Sequence, residues 1–317
     1  MSELESVFDR ALGAYLGLAV GDALGATVEF MRPREIRAAY GVHREMVGGG
    51  WLKLARGQVT DDTTMSLALG EALLAPDALE RWAHAHDDAL LHGIAGSFVD
   101  WLRARPVDCG NTCRRGIRRY MLDGSLSGRR NEGDAGNGAL MRNLPVVLAT
   151  LQQPALCAEL SLAQARLTHH HPLSDIATTS MAELTRLLLL GMPSLQWRQQ
   201  VANVVKAQAA FAFDPYPGRA SGFVVDTVQT VLHCITTETG FEDAVVAAVN
   251  LGDDADTNGA LVGMLAGARG GASAVPRRWL ARLPAGIVRS ITDQASGLVA
   301  LSRRLGTRSD PSSRGRP

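Results

Sequence analysis

Apolar side chains recur three and four residues apart along nearly the whole chain. The pattern covers roughly 5–29, 63–75, 77–103, 111–122, 139–152, 155–168, 173–191, 195–211, 221–236, 240–250, 257–269 and 286–303. That period lines up one face of an α-helix. Alternating β-branched runs bounded by turns, the mark of strands, are nearly absent. No internal repeat and no Pro/Gly-rich linker divides the chain. The prediction is therefore an all-α fold, a single compact multi-helix domain over 1–305. Residues 306–317, where Ser, Arg, Gly and Pro follow one another without periodicity, are expected to form a disordered tail. Aromatic residues are only 5% of the chain, while 33 of 317 residues are glycine. Small side chains of this kind suit closely packed helices.

Charge and cysteine content narrow the function classes. With 32 basic and 32 acidic side chains, the formal net charge is zero, so there is no electrostatic case for a nucleic-acid partner. The cysteines, Cys109, Cys113, Cys157 and Cys234, form no Cys-x-x-Cys pair, which argues against a disulfide framework or a cysteine-rich zinc site. Cys109 and Cys113, four residues apart, read as small core residues. Glu3, Glu5 and Asp9 give the N-terminus the wrong charge for a signal peptide. No apolar run reaches the roughly 18 residues of a membrane span. A cytoplasmic monomer without a transmembrane segment is expected.

Three segments lack helical periodicity: 31–60, 104–110 and 124–138. Long irregular segments in a compact domain are often functional. The first ends in Thr60-Asp61-Asp62-Thr63, immediately before an apolar-periodic run. Thr at a helix N-cap with Asp in the first turn stabilises any helix, so this cluster alone has an ordinary structural explanation. The second cluster is Asp253-Asp254-Ala255-Asp256-Thr257, again opening a helix of small residues. Three aspartates so close repel one another unless a cation sits among them. Carboxylate and hydroxyl oxygens select hard ions such as Mg²⁺ or Mn²⁺. Two clusters of like composition suggest a two-cation site, although spacing does not show that they meet.

With these residues in hand, the chain resembles the ADP-ribosylglycohydrolases, and among them the dinitrogenase reductase-activating glycohydrolases. The resemblance rests on Gly21-Asp22-Ala23-Leu24-Gly25 with Glu29, Thr60–Thr63, and Asp108-Cys109-Gly110-Asn111-Thr112. It continues through Gly136–Arg142, Leu167-Thr168-His169, Ser221-Gly222-Phe223 and Gly252–Thr257, all in order. It implies an all-α fold and a centre of two divalent cations, Mg²⁺ or Mn²⁺. The implied reaction is hydrolysis of the bond joining ADP-ribose to a protein side chain, with ADP-ribose as product. By motif, Thr60, Asp61, Asp62, Asp254, Asp256 and Thr257 would hold the cations, with Glu29 close to them and Asp253 outside the frame as a supporting or capping residue.

The same resemblance makes Asp108 and Asn111 a substrate-contacting pair and Glu132 an acidic loop position. His169 would lie along the ADP-ribose cleft, Gly138, Ala139 and Met141 would offer backbone N–H groups to the diphosphate, and Phe223 would form an aromatic platform. Glu29, Asp62 and Asp108 are the candidates for proton transfer. The implied acceptor is arginine, with dinitrogenase reductase as the implied protein partner. A serine-linked or small-molecule conjugate, a helical phosphohydrolase and a non-catalytic ADP-ribose-binding regulator remain as alternatives.

Other residues carry ordinary readings beside functional ones. His170 and His171 read as solvated helix-end residues. Asp22 reads as a support for the cation site or as a buried hydrogen-bonding group, at a break in the first helix. Arg142 is expected to pair with diphosphate or with a structural carboxylate, and Trp51, after three glycines, to be a lid or an exposed loop anchor.

Overall fold

In the computed structural model, residues 3–308 are described. They form fifteen α-helices and three single 3-10 turns. The helices are α1 (Glu3–Gly25), α2 (Pro33–Tyr40), α3 (Asp61–Leu73), α4 (Ala78–Ala85), α5 (Ala89–Arg103), α6 (Asn111–Asp123), α7 (Leu144–Ala149) and α8 (Pro154–Arg166). They continue as α9 (Pro172–Leu189), α10 (Ser194–Ala207), α11 (Val224–Thr237), α12 (Phe241–Val249), α13 (Ala255–Gly270), α14 (Arg277–Leu280) and α15 (Ala285–Arg308). Among the described residues no strand forms, and only two isolated bridges, Gly49 to Leu54 and Gly136 to Phe223, pair extended backbone.

The centre of the fold is the antiparallel pair α1 and α13. Every residue of α13 from Ala255 to Ala268 is buried, as a helix without a polar face must be. Gly13, Gly17, Gly21 and Gly25 recur every fourth residue along α1, and Gly259, Gly263 and Gly267 do the same in α13. The two rows face each other. A Cβ on Gly17 would sit 2.1 Å from the carbonyl oxygen of Gly263, and one on Gly21 would sit 1.9 Å from that of Gly259. Only glycine allows two backbones so close. This register brings the C-terminal end of α1 against the first turn of α13, where Gly25 abuts Ala255 and Asp256. Tyr15 on α1 and the backbone of α3 at Leu67 both bond Gln294 of α15, which ties α3 into the same assembly.

Several predicted boundaries move. The first helix runs unbroken through Asp22 to Gly25, because Asp22 points its carboxylate out of the helix and leaves the helical backbone intact. The segment 77–103 divides at His86, which takes a left-handed φ of 47°. A two-turn helix, α2, lies inside the irregular stretch 31–60; only Ile36 is buried there, too little apolar repetition to show a period. The last helix extends through Arg308, past the expected start of the tail at 306. The remainder of that tail, 309–317, lies outside the described residues.

Candidate active site

Two helix starts define the floor of a cavity. A threonine at an N-cap ordinarily turns its hydroxyl onto the free N–H groups of the first turn. Thr60 caps α3 without making such a bond. Asp22 of α1 takes over that role. Its carboxylate accepts the Thr60 N–H at 3.0 and 3.1 Å, the Thr63 N–H at 3.1 Å, and the hydroxyls of Thr60 at 2.9 Å and Thr63 at 2.5 Å. The Thr60 hydroxyl proton therefore points at Asp22, and the oxygen's lone pairs face the other way. On that side Asp62 Oδ2 and Asp256 Oδ2 each lie 3.5 Å from Thr60 Oγ1. Thr257 Oγ1 lies 3.3 Å from Asp62 Oδ2. The two clusters, almost two hundred positions apart, meet.

The chain beyond α1 brings a further carboxylate to this point. Phe30 donates its N–H to the Asp253 carbonyl, and Asp253 donates its own to the Met31 carbonyl. That pairing sets Glu29 beside the start of α13. One oxygen from each of Glu29, Asp254 and Asp256 lies within 4.8 Å of the others, a set able to hold a metal ion. Asp253 joins this pairing through its backbone; its side chain is exposed, and its charge adds to the upward shift of Asp254.

This gathering is electrostatically incomplete. Burial raises the Asp61 carboxyl to about 7, with Asp108 as the next cause, and raises Glu29 to about 8 against the opposing bond from Trp51. Burial likewise lifts Asp22 to about 6 despite its hydrogen bonds to Thr63 and Thr60, and Asp254 to about 6. Asp62 and Asp256 are pushed well above the usual carboxylate range, again chiefly by burial. Asp62 Oδ1 is buried with no hydrogen-bond partner. Buried polar atoms rarely go unpaired, and oxygens assembled without donors are the surroundings a hard cation requires. The donor set fits divalent cations.

Above the floor lies a cavity of about 530 Å³. Glu29, Asp61, Asp254, Asp256 and Thr257 line one side of it, with Phe30 and Trp51 at the lip. The Trp51 indole donates to Glu29 Oε2 at 2.6 Å, and its ring packs on Phe30 with centroids 5.3 Å apart. Facing them are Asp108, Asn111 and Cys113, then Gly136, Asn137, Gly138 and Met141, and His169. Asn137 spans the two walls, donating to Asp254 Oδ2 at 2.5 Å and to Thr227 Oγ1 at 3.0 Å. The Gly110 N–H donates to Asp61 Oδ2 at 3.1 Å, which ties the loop carrying Asp108 to the floor.

The chain that builds this acidic pocket matches a known family. The sequence profile described as ADP-ribosylglycohydrolase aligns with residues 3–309. The chain belongs to the ADP-ribosylglycohydrolase family. This glycohydrolase is 50% identical over 297 residues to the ADP-ribosyl-[dinitrogen reductase] glycohydrolase of Rhodospirillum rubrum, covering 94% of this chain and 98% of that protein. It is 31% identical to the ADP-ribosylarginine hydrolase Tri1 of Pseudomonas putida, over 88% of this chain and 75% of the relative. A solved ADP-ribosylglycohydrolase-related protein complex superposes with a TM-score of 0.80 at 34% identity, covering 94% of this chain and 99% of that one.

The structure of the glycohydrolase distributes the sequence-derived site residues unevenly. Thr60 and Asp62 lie beneath the floor, buried, while the other expected cation ligands reach the cavity surface. Three further residues, besides Thr60 and Asp62, fall outside the lining. Glu132 sits in a 3-10 turn, Glu132–Asp134, with its side chain 83% exposed and paired to His171. Ala139 is fully buried behind the lining. Phe223 is exposed at 44%; Gly222 accepts the Asn137 N–H, so backbone rather than the ring faces the ligand space there. The aromatic groups that do line the cavity, Phe30 and Trp51, are on the acidic side. His171 is buried, and its ring accepts the Leu173 N–H as the cap of α9, so it is not a solvated end residue. Arg142 is fully buried and bonds neither a carboxylate nor the cavity. Asn137, which periodicity and composition do not single out, carries a signal in the sequence: it stands between Gly136 and Gly138, where small neighbours leave its side chain room to reach Asp254.

Proposed function

We propose that this glycohydrolase removes ADP-ribose from a modified arginine side chain, using two divalent cations, Mg²⁺ or Mn²⁺, with dinitrogenase reductase as the protein substrate. The observation that carries the reading is the meeting of Thr60–Asp62 with Asp254–Thr257 under a cavity large enough for a nucleotide-sized ligand. The name of the Pseudomonas putida relative supports the arginine linkage, and that of the Rhodospirillum rubrum relative supports the protein substrate.

Thr60, Asp61, Asp62, Asp254, Asp256 and Thr257 would hold the cations, with Glu29 beside them. When bound, the cations supply Lewis acidity and offset the crowded carboxylate charge. The bond broken joins C1″ of the ribose to a guanidinium nitrogen: water gives up a proton to a cavity carboxylate and delivers its hydroxyl to C1″, and that proton passes on to the departing arginine nitrogen. Glu29 reaches the cavity surface and is steadied by Trp51, so it is better placed than the submerged Asp62 to take that proton. Asp108 on the facing wall is positioned to accept hydrogen bonds from the guanidinium. Asn137 holds Asp254 in orientation, and the glycine turn Gly136–Gly138 lets backbone approach the ligand.

The deciding experiment offers arginine-, serine- and phosphate-linked ADP-ribose substrates to the purified protein with Mg²⁺ or Mn²⁺. Release of ADP-ribose from the arginine conjugate alone is expected. Faster turnover of the serine conjugate would replace the acceptor assignment. Calorimetric binding of ADP-ribose without any turnover would indicate a binding protein instead.

A further inference from the structure

Arg142 poses a question that the acidic floor does not answer. It is fully buried, and among the described residues no carboxylate pairs with it. A buried cation without a counter-ion is costly, so its neutral partners matter. The guanidinium donates to Gln164 Oε1 at 2.9 Å, to the Gln164 carbonyl at 3.1 Å, to Cys113 Sγ at 3.6 Å and to Thr168 Oγ1 at 2.8 Å, and it stacks over Phe98 at 4.6 Å. The last of these hydrogen bonds leads to the cavity. Thr168 Oγ1 lies 2.8 Å from Nδ1 of His169, a cavity-lining ring.

Proton directions along this chain are determined. Arginine has only donors, so Thr168 Oγ1 accepts from Arg142. The Thr168 hydroxyl still carries one proton, and among the described residues the buried hydroxyl has one other polar partner, His169 Nδ1. Were Nδ1 protonated, the hydroxyl proton would be buried without an acceptor, at the full desolvation penalty. The proton therefore goes to Nδ1, and the ring's own proton sits on Nε2. The Nε2 edge faces the cavity: a Cβ on Gly136 would lie 3.3 Å from Nε2, and one on Gly138 3.0 Å from Cε1. Glycine at these positions leaves that edge uncovered.

We infer that Arg142 and Thr168 lock His169 as a neutral hydrogen-bond donor, its Nε2–H presented to an acceptor oxygen of the bound ADP-ribose. His169 is then a fixed recognition group and takes no part in proton transfer, and Arg142 and Thr168 are positioning residues acting through it. The ligand rests on the proposed function; the tautomer does not.

The test is nitrogen-15 NMR of the full-length protein, with His169 assigned through His169→Gln. A proton-bearing Nε2 and a proton-free Nδ1 are expected in the wild type, with and without ADP-ribose. Thr168→Val should abolish this preference and raise KM for ADP-ribosylarginine about tenfold while kcat changes less than about twofold; Thr168→Ser should restore both. A wild-type Nδ1–H tautomer overturns the inference even if Thr168→Val does not fold, and so does an unchanged KM in a folded Thr168→Val. Should the wild type release ADP-ribose from no substrate, the functional reading falls while the spectra still decide the tautomer.

Discussion

The two walls of the cavity handle buried polar groups in opposite ways. On the α3–α13 side, Glu29, Asp61, Asp62, Asp254 and Asp256 crowd together, their carboxyls raised by burial and mutual repulsion, with Asp62 Oδ1 unpaired. On the facing side, a full positive charge is buried at Arg142, yet neutral acceptors surround it and burial holds His169 well below its ordinary range, with Arg142 and Arg115 adding to the effect. One wall rests on closely packed backbones, through the glycine rows of α1 and α13, and is short of positive charge. The other is complete in itself. The contrast separates a surface built to be finished by cations from one built to read a ligand.

Removing a carboxylate from the unfinished wall is the most severe way to test this contrast. Asp61→Ala or Asp256→Ala should lower kcat/KM for ADP-ribosylarginine by about a thousandfold or more, the scale of losing an electrostatic stabiliser of the transition state. Circular dichroism should show an intact helical fold. Retained turnover in both variants would mean that the acidic wall is not the reacting one. A smaller loss is expected one layer further out. Asp22 touches no part of the cavity but holds Thr60 and Thr63. Asp22→Asn should weaken activity or cation affinity by about 10- to 100-fold, as changes behind a ligand set do. Mn²⁺ titration would measure it, and unaltered affinity would show that Asp22 merely caps α3.

Much of this arrangement was legible from the residues alone, for identifiable reasons. Helical period recurs along the chain, and it gave the fold class. The Asp253–Thr257 run stood out because helix capping needs fewer carboxylates than it contains, and the run at 60–63, ordinary by itself, gained meaning from its like composition. What could not be read was contact. Thr60 has the sequence of an ordinary N-cap, and only Asp22, from another helix, shows that its hydroxyl is turned elsewhere. The fourth-residue glycine rows that set the α1–α13 register lay in plain view, but each row has meaning only opposite the other. Phe223 and Glu132 failed to reach the cavity because backbone pairing at Gly222 and a 3-10 turn at 132–134 direct them outward, details below the resolution of periodicity. Arg142 gave no sign of its isolation from carboxylates, since burial is a property of the packed state.

Stability against pH provides a gentler test of the acidic wall. Carboxyls with a folded pKa of about 7 at Asp61 and about 8 at Glu29 hold protons in the cation-free fold that the unfolded chain, with carboxyls near 4, has already lost. Where the folded state binds more protons, stability falls as pH rises. Below about 6.5 the neutral-held His43 and His169 act in the opposite sense, so the window to examine is pH 6.5–8.5. Across it, the melting temperature of the cation-free protein should decline by a few degrees. Mg²⁺ or Mn²⁺ should raise it most at the alkaline end, because cations favour the ionised carboxylates. Equal stabilisation at both ends of the window would contradict a wall that lacks positive charge.

The smallest expected effect lies at the lip. The Trp51 indole N–H donates to Glu29 Oε2, a bond that favours the ionised carboxylate and so holds down a group that burial raises. Trp51→Phe keeps a ring against Phe30 but removes the donor. The Glu29 carboxyl should then move further up, and a reaction that needs it ionised should lose its acid limb to higher pH. Because Trp51 is 51% exposed, water can replace part of the lost bond, and the drop in kcat/KM at pH 7 should be only about threefold. It should fade as pH is raised past the shifted limb. Superimposable pH profiles for wild type and Trp51→Phe would remove Glu29 from proton transfer and leave Asp108, on the complete wall, as the carboxylate at the cavity surface to examine next.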